Sequence, residues 1–119
     1  MTKLEVIRMI GDVLTEIDVT VGSLVPGDPD MMALEDLRRL LDARQLMLSR
    51  QVFDENRPRF QEEASRLRTV NAEIEGTIRR IDDLSTVLQN VTRFLDAVTS
   101  FMVAVGAFWM TAFDASAIG

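Results

Sequence analysis

Carboxylates are the residues of this chain best suited to chemistry, and they occur as adjacent pairs at Glu35–Asp36, Glu62–Glu63 and Asp82–Asp83. Acid–base work or divalent-cation binding needs such groups to converge. Neighbours on a helix project about 100° apart, so each pair splits over two faces. Glu73 and Glu75 also fall on different faces. An all-helical dimetal site asks for Glu-x-x-His or repeated Glu-x-x-Glu spacing from several helices, and neither occurs. The expected role of each pair is a solvated charged face.

The rest of the chemical inventory is thin. His, Cys and Tyr are absent, which removes the commonest general base and the strongest nucleophile. Without Cys there is no disulfide and no thiolate metal site. Asp28-Pro29-Asp30 lacks the later ligands of a calcium loop and reads as a helix start. The six glycines are scattered, so no phosphate-cradling loop is present. No catalytic, cofactor-binding or metal-binding residue is expected, and the chain is expected not to be an enzyme. Carboxylate chemistry with a divalent ion is the remaining catalytic alternative.

Charge points the same way. Thirteen basic residues, of which only Lys3 is a lysine, face nineteen acidic ones, for a net charge of −6. No basic stripe stands out, so nucleic acid is not an expected partner. Arg38–Arg39 and Arg79–Arg80 have local Glu and Asp partners and read as solvated faces. Met31, Met32, Met47, Met102 and Met110 fall at helical spacing and read as core.

The elements that would position these residues are all helical. At 119 residues, 47% hydrophobic and 27% charged, the chain suits one folded domain. Helix one is expected over 3–21, with Thr2 and Glu5 in a capping-box pattern. Ile10, Val13, Leu14, Ile17, Val21 and Leu24 define its apolar face. Gly22 and the turn at 22–29 end it. Helix two is expected over 30–56, capped by Asp28 with Pro29 in its first turn, and Leu34, Leu37, Leu41 and Leu48 form its stripe. Pro58 ends it by disfavouring helix at Arg57.

The third element is expected to be one long helix over 58–113. Its seam runs Phe60, Ala64, Leu67, Asn71, Ile74, Ile78, Ile81 in alternating steps of four and three, a coiled-coil pattern with Asn71 as a polar register residue. After one three-residue discontinuity it resumes at Leu84, Leu88, Val91, Leu95, Val98, Met102, Val105 and Trp109. Unbroken, the helix would reach about 80 Å at 1.5 Å per residue. A break near 82–85, capped by Asp83 or Ser85, is the alternative and would give a compact four-helix bundle. Helix two covers only the first half of such a rod, so the second half would project outward.

That projecting half is the oily one. Residues 97–113 carry no charge. Phe94, Phe101 and Phe108 repeat every seven residues. Ala97, Ser100, Ala104, Ala107 and Thr111 form a small-residue line of the kind that allows close helix contact. A helix apolar on every side belongs in a bundle or a membrane. Seventeen uncharged residues reach the lower edge of spanning length, and Trp109 suits an interface. Thr99, Ser100 and Thr111, and the lack of a flanking basic cluster, favour burial in protein.

The fold expected is therefore all-α, a helical hairpin or bundle with one long coiled-coil-like third helix and an apolar C-terminal segment. The function expected is non-catalytic assembly: a homo-oligomer, or docking on a protein partner, through Phe94, Val98, Phe101, Met102, Val105, Phe108 and Trp109. The alternative is a membrane-anchored or pore-forming protein that contacts lipid through 97–113. MTKLEVIRMIGD does not read as a secretory signal, so the cytoplasm is the expected location, with membrane association as the alternative.

Overall fold

Local signals start every helix, side-chain caps at three and a proline at α3. The computed structural model describes residues 1–52 and 54–106. Among these are four helices: α1 (Lys3–Gly22), α2 (Pro29–Arg50), α3 (Pro58–Ile74) and α4 (Leu84–Ala104). The Thr2 hydroxyl oxygen accepts the Glu5 N–H and starts α1. Glu5 does not close the box onto the Thr2 backbone; its carboxylate accepts from the Thr2 hydroxyl instead. Asp28 accepts from Asp30 N–H at 2.8 Å, and Pro29 opens α2. Pro58 opens α3 while Arg57 stays extended, as the pre-proline residue must. Asp83 starts α4 by accepting from both the N–H and the hydroxyl of Thr86. The Thr86 hydroxyl, then its N–H, holds the Asp83 carboxyl below its ordinary value.

Helix ends follow long-range contacts instead. α2 stops at Arg50, short of the expected Asn56, and Gln51 turns extended. Lys3 explains the stop. Its ammonium donates to the carbonyls of Ser49 and Gln51, and its N–H to Glu55. These contacts pull the α2–α3 linker onto the start of α1. Gly22 does not provide a left-handed stop for α1; the positive-φ glycine of this turn is Gly27.

The single rod over 58–113 is not formed. α3 ends at Ile74, Glu75 is extended, and Gly76 takes φ +81°, a conformation that other residues enter only with strain. Residues 75–83 reverse the chain, and the break begins well before the expected 82–85. The physical reason is burial. A straight rod would leave its apolar half in water. Folded back, the described part of that half, α4, packs on α2 and α3.

The four helices form a bundle in which α1 packs on α2, α2 on α4, and α4 on α3. Cross-links set the directions. Gln45 reaches the Ile7 carbonyl and Arg38 pairs with Asp18, so α2 runs antiparallel to α1. Phe60 meets Phe101, and Glu73 meets Arg93, so α4 runs antiparallel to α3. Gln61 bonds to Met1, and Arg68 and Arg79 pair with Glu5 and Glu16, so α3 runs parallel to α1. The expected coiled-coil seam becomes bundle core: Phe60, Ala64, Leu67, Ile74 and Ile78 are buried. Asn71 and Ile81 are not among the buried residues, and Ile81 is exposed.

One buried polar contact ties the reversal to α1. The Thr20 hydroxyl lies 2.8 Å from the Ile78 carbonyl, with Thr20 itself buried. Thr77 adds a bond to the Ile74 carbonyl and accepts one from Asn90 of α4. Thr20→Val keeps the shape and strands the Ile78 carbonyl. Urea unfolding should show a loss of about 1–3 kcal/mol, the cost of an unsatisfied buried acceptor.

Candidate functional site

The sequence-predicted interaction residues do not form one exposed stripe. Phe94, Val98, Phe101 and Met102 are all buried in the subunit's own core. The Phe101 ring meets Phe60 edge-on, with centroids 5.3 Å apart. These four were expected to meet a partner, and the chain reversal at Gly76 buries them instead. Val105 is half-buried at the α4 C-terminus. Phe108 and Trp109 lie outside the described residues, as does most of the apolar run beyond α4.

The membrane alternative is altered by the same geometry. α4 ends at Ala104, and Gly106 adopts φ +85°. The helix therefore does not continue unbroken through Gly106. Among the described residues no helix is long and apolar enough to cross a membrane.

The carboxylate pairs are spread over separate tasks. Glu63 is turned inward, with Arg66 at 3.1 Å and Arg59 at 3.9 Å, while Glu62 lies 3.6 Å from Arg66. Asp36 pairs with Arg39, and Asp82 with Arg80. Arg38 is bidentate to Asp18, and this bond holds its proton more tightly than usual. Among the described residues no three metal-ligating side chains are grouped to hold an ion.

Two surface features remain. The first is the end of the bundle where α2 stops, α3 starts and α4 stops. Arg57, Arg59 and Phe60 meet Ala104 and Val105 there around a small depression. Val52, in the linker at this end, is 96% exposed, and Val103, on the last turn of α4, is 63% exposed. The apolar sequence AFWMTAF follows directly from this end. The second feature is a cleft of about 300 Å³ between α1 and α3. Val13, Ile74 and Ile78 supply its apolar surface, and Asp12, Thr15, Glu16, Asn71, Glu75 and Gly76 line the rest.

Sequence reasoning missed the cleft. Asn71 read as a coiled-coil register residue, and Asp12 and Glu16 carried no signal of their own. Their meeting depends on α1 and α3 lying side by side, which no local pattern encodes. Compared with known proteins, the chain matches no family model, no curated protein and no solved structure.

Proposed function

We propose that this protein is a non-catalytic helical assembly module that forms a homo-oligomer through its C-terminal apolar segment. The contact is carried by Val103, Val105, Phe108 and Trp109. It no longer includes Phe94, Val98, Phe101 and Met102, whose side chains serve the subunit's own core. The supporting observation is the exposed aliphatic surface at the bundle end from which the sequence AFWMTAF continues. Large apolar side chains cost free energy in water, about 25 cal/mol per Å² of surface. A second copy brings the same segment and can cover it by two-fold pairing.

Sedimentation of the full chain at micromolar concentration, without detergent, tests the reading. The wild type should sediment as an oligomer. Val103→Asp, exposed in the subunit, should retain the helical circular dichroism and dissociate. Trp109→Ser should weaken association in the same direction. A wild-type monomer across the micromolar range rejects the proposal. Association that appears only with lipid vesicles would favour the membrane reading instead.

A further inference from the structure

The bundle end that exposes Val52 and Val103 also carries arginines. Arg57 and Arg59 line its depression together with Phe60, Ala104 and Val105. Arg57 is exposed and makes no ion pair among the described residues. Arg59 is 65% exposed and reaches Glu63 only at 3.9 Å, while Arg66 holds that carboxylate more closely, at 3.1 Å. Asp54 is the one acid lining the depression, and its carboxylate accepts the Asn56 N–H. α3 begins here without a side-chain cap and without an acid in its first turn, so its N-terminal pole adds to the positive side.

The sequence that continues from this end has the opposite sign. Residues 107–119, AFWMTAFDASAIG, contain one charged side chain, Asp114. It comes after Phe108, Trp109 and Phe113, so the apolar stretch separates it along the chain from the arginines. This order discriminates between the two directions in which two copies can pair. Parallel segments bring Asp114 against Asp114 and set the two arginine-bearing ends face to face, and like charges repel. Antiparallel segments place the far part of each beside the base of the other. Asp114 of one copy then meets Arg57 of the second, and the two-fold repeats the contact.

We infer that two copies of this chain pair antiparallel through this end, Asp114 of each beside Arg57 and Arg59 of the other, with Phe108 and Trp109 over the exposed Val52 and Val103. The inference rests on the assembly reading and adds the direction and register of the pairing. Apolar burial drives association but is non-directional, whereas the ion pairs exist in one alignment only. An exposed ion pair contributes little by itself, so reversing a charge is more informative than removing it.

Sedimentation of the full-length chain at low ionic strength, where exposed charges are least screened, tests it. Arg57→Glu alone and Asp114→Arg alone should each weaken self-association about tenfold or more, the effect of like charges brought together. Arg57→Glu should leave the helical circular dichroism unchanged, since Arg57 is exposed. An equimolar mixture of the two variants should associate as the wild type does, because every contact between unlike copies is again between opposite charges. The double variant should also self-associate. Undiminished association of both single variants, beside an oligomeric wild type, overturns the register and leaves the assembly reading standing. Rescue in the double variant but not in the mixture places the contact within one chain and overturns the inference. A monomeric wild type removes the assembly reading and this one with it.

Discussion

Phe101→Ala is expected to destabilise the isolated subunit by about 3–5 kcal/mol, the usual cost of emptying a buried phenylalanine site. Phe101 is 1% exposed and stands edge-on to Phe60, itself buried. Both ends of this contact come from the same chain, 41 positions apart (101 − 60). Small domains hold only about 5–15 kcal/mol of stability, so a loss of this size moves the urea midpoint far. The Phe60→Ala, Phe101→Ala double mutant should show a coupling of about 0.5–1.5 kcal/mol beyond lost area. The measurement also separates core from interface. A core loss persists in the dilute monomer. An interface loss grows with protein concentration, because association then contributes to apparent stability. A concentration-dependent loss would return Phe101 to the interface that its sequence spacing suggested.

Val98→Asp is expected to abolish folding or to cost more than about 4 kcal/mol, in the range reserved for buried unpaired charges. Val98 has no exposed surface and sits in α4 among Phe94, Leu95, Phe101 and Met102. The nearby Val103 is 63% exposed, and the same substitution there should leave the far-ultraviolet circular dichroism nearly unchanged, and also the melting transition at dilutions where the wild type is monomeric. The pair is a sharp contrast, since the two residues are 5 positions apart (103 − 98) in one helix and receive the same carboxylate. If Val98→Asp folds with native stability, α4 does not face inward as described, and the rod suggested by the heptad spacing is restored.

Helix starts were legible because their physics is local. Thr2, Asp28, Pro58 and Asp83 each act on a donor or a dihedral within three residues, and the structure uses all four. Asp83 counted only as a cap for the alternative break, yet that break exists. Helix ends were less legible. α2 stops at Arg50 because Lys3, 46 positions away from Ser49, claims its terminal carbonyls. α3 stops at Ile74 because Gly76 can turn and a core is waiting for α4 on the other side. A glycine in a helical pattern costs about 1 kcal/mol and is often tolerated, so Gly76 alone does not announce a reversal.

The candidate interaction residues show the same division. Their spacing correctly marked one face of α4 as needing cover, and Phe94, Val98, Phe101 and Met102 are indeed covered. Spacing says nothing of which surface does the covering. It made an oily stripe look like an interface, when α2 and α3 lie against it.

By itself the sequence determined the all-α class, the helix starts and the faces that had to leave water, because 3.6-residue periodicity and capping act within a turn or two of chain. Tertiary structure alone decided that the long third helix folds in two, that the apolar face of α4 meets its own subunit, and that Asp12, Asn71 and Glu75 share a cleft. Those outcomes rest on contacts between residues dozens of positions apart, and their free energy exists only once the chain has closed on itself.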